Sequence, residues 1–123
     1  MKKEDFKPGQ TVYLIPVRMM KWEYLRIEKQ IRETKVVSVG RKYITVEHNN
    51  IKFDITNDFR EVTNFCIEYK LFLSKEDIQL DLKRRKMEEQ IVNALYYHRH
   101  VTGKMTFEEL ETVHNIVKKY MKF

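Results

Sequence analysis

The sequence predicts an α+β fold, in which a small antiparallel β-barrel of about five or six strands is followed by a C-terminal two-helix hairpin. Three observations predict it. Apolar and polar residues alternate through most of the first part of the chain, which is the period of strands with one buried face. At Ser74 the apolar period changes to three and four, and helix-capping sequences accompany the change. The short strands recur at roughly 8 to 12 residues, which favours a barrel because closure removes exposed sheet edges.

Six segments have the composition and period of strands. In the first, Pro16 places the strand end at an edge or a bulge, because proline donates no hydrogen bond to a ladder. In the second, alternation puts Val36 on one face and Val37 and Val39 on the other. The segments are Thr11–Val17, Ile31–Val39, Lys42–His48, Ile51–Ile55, Phe59–Thr63 and Tyr69–Leu73.

The connections between these segments are tight turns, with one exception. Gly40-Arg41, Asn49-Asn50 and Asn57-Asp58 are turn sequences, and asparagine tolerates the positive φ that such turns require. Residues 19–30 have no clear period. We interpret them as a long arm or loop that becomes a strand near Ile27.

The C-terminal part has two helix starts. Ser74 is a predicted N-cap with acidic residues in the first turn, and the helix is expected from about Lys75 to Tyr97. Gly103 marks a break, and Thr106 with Glu109 forms the capping box of a second helix. Both helices carry apolar residues at spacings of three and four, so we expect these faces to pack on each other or on the barrel.

Length and composition are those of one folded, well-solvated domain. The chain has 123 residues, 15 of them aromatic, a net charge of +6 and one cysteine, Cys66. We expect residues 1–73 to form the barrel-like part and residues 74–123 to pack on it as one compact domain. No apolar run is long enough to span a bilayer and no signal sequence is recognisable, so a cytoplasmic location is expected. A lone cysteine fits a reducing compartment and is interpreted as a small buried apolar residue.

Two parts of the sequence resemble known proteins. Residues 6–14 (FKPGQTVYL) and 33–46 (ETKVVSVGRKYITV) resemble the opening strands of small SH3-like or KOW-like barrels. With the YKLFLSKED sequence at residues 69–77, they are similar to uncharacterised β-barrel proteins of phages and prophages in Firmicutes. The resemblance covers about two-thirds of the chain and implies an SH3-like fold and a phage origin. Phage accessory proteins of this kind include nucleic-acid binders and inhibitors of host machinery, among them anti-CRISPR proteins.

No residue pattern predicts catalysis. The three glycines, Gly9, Gly40 and Gly103, form no phosphate-binding loop, and neither Ser38 nor Ser74 lies in a nucleophile elbow. His98 and His100 could bind a metal with His114, but on a helix the side chains of His98 and His100 would point about 200° apart. We therefore predict a protein that is not an enzyme and needs neither a metal nor a small-molecule cofactor.

Positive charge is concentrated between the first and third strands. From residue 15 to residue 45 the chain has eight cations and three acidic residues, with aromatic residues among them. Single-stranded nucleic acid is bound by such surfaces, because cations neutralise phosphates and aromatic rings stack on bases. The alternative is that Trp22 and Tyr24 close the barrel mouth as core residues. The predicted binding residues here are Arg18, Lys21, Trp22, Tyr24, Arg26, Lys29, Arg32, Arg41, Lys42 and Tyr43.

A second basic group lies in the first predicted helix and consists of Lys83, Arg84, Arg85 and Lys86. Four consecutive helical residues surround the helix and cannot all face one phosphate strand. Pairing at i to i+4 is expected for Asp81 with Arg85 and for Arg84 with Glu88. The run is predicted either to be solvated or to contact an anionic partner.

These observations lead to two functional hypotheses. The first is a non-enzymatic phage or prophage accessory protein that binds RNA, DNA or a nucleoprotein and inhibits a host defence complex, such as a CRISPR effector, by occlusion. The second is an assembly module that dimerises or docks on a protein through its helical hairpin. Neither hypothesis involves a membrane or a small molecule.

Overall fold

The computed structural model describes residues 1–62 and 67–121, and the chain divides into two compact units, Met1–Leu80 and Asp81–Phe123. The strands are β1 (Thr11–Pro16), β2 (Arg32–Val39), β3 (Tyr43–Val46), β4 (Lys52–Asp54), β5 (Arg60–Glu61) and β6 (Tyr69–Phe72). The helices are α1 (Lys21–Leu25), α2 (Ile27–Gln30), α3 (Lys75–Tyr97), α4 (His100–Gly103) and α5 (Phe107–Lys118). Short 3₁₀ turns lie at Lys3–Asp5, His48–Asn50 and Ile55–Asn57.

The six strands form one antiparallel sheet in the order β5-β4-β3-β2-β1-β6. Its two outer strands meet through side chains: the Tyr69 backbone N–H donates to Glu61 Oε2 at 2.7 Å, and Arg60 Nε lies 2.8 Å from Glu68 Oε1. The sheet is therefore a nearly closed barrel followed by helices, which confirms the predicted α+β fold.

The barrel interior holds the main apolar core of the described residues. Alternation holds as predicted in β3, where Ile44 and Val46 are fully buried, and in the first part of β1, where Val12 and Leu14 are fully buried; it ends at Ile15, which is fully buried as well. Removing each such side chain from water stabilises the fold by about 1.5 to 3 kcal/mol. The core consists of Phe6, Val12, Leu14, Val36, Ile44, Val46, Phe53 and Leu71.

In β2, a bulge breaks the predicted alternation. Val36 pairs with Val46, and the next pair is Ser38 with Thr45, so the register shifts at Val37. Val37 is 49% exposed, whereas Val39, predicted to share its face, is half-buried. The shared face is wrong because one extra residue in a strand reverses the side of every residue after it.

The turns have the backbone geometry that their residues favour. Asn49 and Asn50 both have φ of 52°, which confirms the predicted turn at this position. Asp58 and Phe59 also have positive φ, so Phe59 belongs to the turn and β5 begins only at Arg60. The predicted end of that strand at Thr63 and the predicted burial of Cys66 lie outside the described residues.

Pro16 lies at the end of its strand. The β1–β2 ladder ends at Leu14, opposite Arg32, and the β1–β6 ladder continues to Pro16, opposite Tyr69. Proline is tolerated here because at this position β1 pairs with β6 and no longer with β2.

The predicted helix starts are confirmed. Ser74 Oγ accepts the Asp77 N–H at 3.1 Å, and α3 covers Lys75–Tyr97 as predicted. Thr106 Oγ1 accepts the Glu109 N–H at 3.2 Å, while Glu109 Oε1 accepts the Thr106 N–H at 2.9 Å. In α3 only Ile78 is buried, and Met87 and Ile91 are 49% and 58% exposed. The packing of these helices on the barrel stays a prediction.

Candidate nucleic-acid interface

Residues 18–32, which belong to the connection between β1 and β2 and include the first residue of β2, are named the basic segment here. It was predicted as an arm that becomes a strand near Ile27, and this is wrong: residues 21–30 form α1 and α2, and β2 begins at Arg32. The Met20 N–H donates to Glu23 Oε1 at 2.9 Å, which caps α1. Arg32 Nη1 donates to the Lys29 carbonyl at 2.7 Å where the segment enters β2. The segment has no glycine or proline, so nothing in it opposes short helices.

The cations and the two aromatic rings of the basic segment face solvent, whereas Met19, Ile27 and Ile31 are half-buried. Trp22 is 59% exposed and Tyr24 is 38% exposed, so the alternative in which both rings close the barrel mouth as core residues does not hold. Five exposed cations accompany them, and none forms an ion pair within residues 1–62 and 67–121. These cations are Arg18, Lys21, Arg26, Lys29 and Arg32. The segment thus combines unpaired positive charge with accessible aromatic faces.

A second group of predicted residues surrounds Tyr43 on β3. The ring of Tyr43 is half-buried, and Lys42 Nζ lies 5.4 Å from its centroid. Lys52 Nζ lies 5.8 Å from the same centroid, so two ammonium groups contact one ring. Lys52 was not among the predicted residues, although the period of β4 places it on the outer face with Asp54. Arg41 is exposed in the hairpin turn, whose Gly40 N–H donates to the Tyr43 carbonyl at 2.8 Å.

Asp54 adds a negative charge beside this group. It pairs with Tyr43 in the β3–β4 register. Its Oδ1 accepts the Thr56 hydroxyl at 2.6 Å and the Thr56 N–H at 2.9 Å, and these bonds lower the pKa of the carboxyl, to which Lys42 also contributes. An ionised Asp54 reduces the three cations of this group, Arg41, Lys42 and Lys52, to a net charge of +2. The basic segment has five cations and two carboxylates, a net charge of +3, so it is the more positive of the two.

The fold separates these two groups, which the sequence places in one basic region. Arg32 begins β2, and Arg41 follows its end at Val39. Eight strand residues extend over about 25 Å. Seven of the eight cations between residues 15 and 45 therefore lie in two clusters at opposite ends of one strand, and the eighth, Lys35, lies between them.

In the α3 run, two cations are paired and two are not. Arg85 Nε lies 2.8 Å from Asp81 Oδ2, and Arg84 Nε lies 2.9 Å from Glu88 Oε1, as predicted from their spacing. The bond to Glu88 raises the pKa of Arg84. Lys83 and Lys86 are exposed and form no ion pair in the described part of the chain. Only these two lysines are available for an external anion.

The sequence from residue 1 to residue 120 matches the family model of the phage ProQ C-terminal-like domain. The chain belongs to this family. No curated protein and no solved structure matches the chain. Membership of the phage ProQ C-terminal-like family confirms the phage association that the sequence resemblance implied. The match also includes α4, α5 and the part of α3 after Asp77, which the resemblance to barrel proteins did not cover.

The histidines of this family member do not form a metal centre in the described residues. His98 and His100 lie beyond the end of α3, and their rings meet edge to face with centroids 5.5 Å apart. The 200° separation expected for a helix is therefore wrong, because the helix ends at Tyr97. Within residues 1–62 and 67–121, no three His, Cys, Asp or Glu side chains lie close enough together to hold a metal ion.

Two exposed aromatic residues of α3 were missed in the sequence analysis. Tyr96 and Tyr97, which were not among the predicted binding residues, are 74% and 71% exposed. The sequence did indicate their exposure, because two adjacent residues lie about 100° apart around a helix and two bulky rings so placed cannot both face one core.

No α-helix in the described residues is long and apolar enough to cross a membrane.

Proposed function

We propose that the chain is a non-enzymatic phage accessory protein that binds RNA through its basic segment. The observation that carries this proposal is the exposure of Trp22 and Tyr24 among five unpaired cations in one ordered connection. Surfaces of this composition bind unpaired strands by neutralising phosphates and stacking on bases. ProQ-like domains are generally associated with RNA binding, which supports a nucleic-acid partner.

The finer proposal is that binding acts by occlusion. A phage protein that covers RNA in a host nucleoprotein, such as a CRISPR effector, blocks the strand without a chemical step. The proposal includes action in the cytoplasm of the bacterial host. It needs only a competing anion surface, and the basic segment supplies one.

The single tryptophan provides a direct test. Trp22 is the only tryptophan in the chain and lies within the proposed surface, so its emission reports stacking on a base. Titration with a single-stranded RNA should quench this emission with saturation. If five phosphates are neutralised, affinity should fall about a hundredfold between 50 and 200 mM salt. Absence of binding to any RNA or DNA at 50 mM salt would reject the proposal.

The apolar side chains of the helices support a second candidate, a protein-interaction module. Met87, Ile91 and Leu95 follow at spacings of four and are 49%, 58% and 39% exposed, which is unusual for apolar residues at helical spacing. Pairing of two chains through these residues would bury them. Sedimentation velocity across a hundredfold range of protein concentration tests this candidate, and a constant monomer mass rejects self-association.

A further inference from the structure

One face of α3, within Asp81–Phe123, combines positive charge, amides and a tyrosine without any acidic residue. Lys83, Lys86, Gln90, Asn93 and Tyr97 follow at spacings of three and four residues, so they lie within about 80° of one another around the helix axis. All five side chains are exposed. This set is called the α3 stripe below.

The neighbouring charges leave the α3 stripe positive. Arg84 and Arg85 are paired with Glu88 and Asp81, and these ion pairs project from other sides of the helix. Lys83 and Lys86 form no ion pair in the described residues. An anionic ligand on this stripe therefore meets the ammonium groups of Lys83 and Lys86, and the nearest carboxylate on this side of the Asp81–Tyr97 part of the helix, that of Glu89, lies about 40° beyond the edge of the stripe at Asn93.

The C-terminal end of the stripe is aromatic. The rings of Tyr96 and Tyr97 are in edge-to-face contact, with centroids 4.7 Å apart and planes at 74°. His98 and His100 repeat this arrangement immediately after the helix, with Arg99 between them. Four aromatic rings in five residues are thus accessible at one end of α3, next to a cation. Such rings offer flat faces to unstacked bases.

We infer that the α3 stripe binds an unpaired RNA strand, with phosphates at Lys83 and Lys86 and a base stacked on Tyr97. This inference rests on the proposed RNA-binding function and adds to it a second contact surface and a substrate class. A duplex gains nothing from Tyr97, because its bases already stack on each other. Gln90 and Asn93, between the two ends, offer amide donors and acceptors to base edges or the 2′-hydroxyl.

A protein partner fits the α3 stripe poorly. The aliphatic residues of the same helix, Met87, Ile91 and Leu95, are centred about 120° away from it around the axis. A protein that docks on α3 is expected to cover that aliphatic face, whereas the stripe offers it only solvated cations and amides. The complementarity of the stripe is to a polyanion with stackable bases.

The test compares one single-stranded RNA with a blunt-ended two-stranded RNA duplex, which has no unpaired loop, using fluorescence anisotropy with the full chain at 50 mM salt. Tyr97→Ala should weaken binding to the single strand about fivefold or more. Binding to the duplex should change less than about twofold. Tyr97→Phe keeps the ring and should restore the affinity of the wild type. Tyr120→Ala is the matched control, since Tyr120 is 84% exposed elsewhere in the same unit and should leave both affinities unchanged.

The outcomes separate the inference from the function on which it rests. If the wild type binds neither RNA, the proposed function fails and the inference fails with it. If the wild type binds RNA and loses affinity in Arg26→Gln/Lys29→Gln but not in Tyr97→Ala, the α3 inference alone is overturned. Equal loss for single strand and duplex in Tyr97→Ala, or loss in Tyr97→Phe, also overturns it. Circular dichroism of each variant confirms that α3 remains helical.

Discussion

Glu61 joins the two outer strands of the barrel and does so as a partly buried carboxyl. Its Oε2 accepts the Tyr69 backbone N–H at 2.7 Å. Burial raises the pKa of Glu61, and the nearby Glu68 charge raises it further, while the hydrogen bond from Tyr69 opposes them. Closure of the barrel therefore depends on a group that is less readily ionised in the folded state than in the unfolded chain.

This raised pKa gives barrel stability a defined pH dependence. The folded state holds the Glu61 proton more strongly, so the stabilisation from this group is complete below its ordinary pKa of 4.5 and is lost as pH rises through the folded pKa. Glu61→Gln keeps an acceptor for Tyr69 and removes the charge. We expect its free energy of unfolding, relative to wild type, to increase from pH 4.5 towards neutrality in urea titrations.

Asp54→Asn is the control for that experiment, because Asp54 titrates in the opposite sense. The pKa of Asp54 is lowered, so its stabilisation is present above 3.8 and is lost as pH falls through the folded value. The difference in free energy of unfolding between Asp54→Asn and wild type should change only below pH 3.8. A Glu61→Gln difference that does not vary above pH 4.5 would contradict the account of the barrel closure.

At the scale of elements, the regular segments were predictable and the irregular ones were not. Apolar alternation predicted β1 and β3, and capping residues predicted α3 and the start of α5, because each of these elements depends on residues close together in the sequence. The helices in the basic segment and the bulge at Val37 depend on tertiary context, to which a periodicity argument has no access. The location of Trp22 could not be decided from the sequence, since an aromatic residue suits a core as well as a binding surface.

The bulge in β2 makes two adjacent valines unequal. Val36 is buried in the core, whereas Val37 is 49% exposed. Val36→Thr places a hydroxyl in an apolar interior and should lower the free energy of unfolding by about 1 to 3 kcal/mol. Val37→Thr, the matched control, should change it by less than about 0.5 kcal/mol. Equal losses in urea unfolding would argue against the register shift.

The start of α5 depends on one reciprocal pair of hydrogen bonds. Thr106 and Glu109 satisfy each other's backbone N–H groups, and α5 buries no side chain fully. Thr106→Ala should therefore destabilise the helix by about 1 kcal/mol, with little packing to compensate. Hydrogen exchange should accelerate in residues 107–118 and stay unchanged in β1 to β4. Faster exchange in the barrel as well would show that the two regions unfold together.

At the scale of the whole molecule, the sequence predicted a basic charge but not its arrangement. The fold puts one exposed cationic cluster in the basic segment, another beside Tyr43, and on α3 two exposed lysines, Lys83 and Lys86, without an ion pair among the described residues. The ion pairs between cations and carboxylates were predictable only in α3, because the partners there lie one helical turn apart in the sequence. The family match extends from residue 1 to residue 120 and therefore includes residues of both compact units.

A salt titration distinguishes local phosphate contacts from the effect of net charge. Arg26→Gln/Lys29→Gln and Lys118→Gln/Lys119→Gln each remove two positive charges from a net charge of +6, and all four residues are exposed. If the basic segment contacts phosphates, the first variant should reduce the slope of log affinity against log salt by about 1.4 for a single strand. The second should leave the slope unchanged. Equal slopes in both variants would mean that the overall charge of the molecule, rather than the basic segment, attracts RNA.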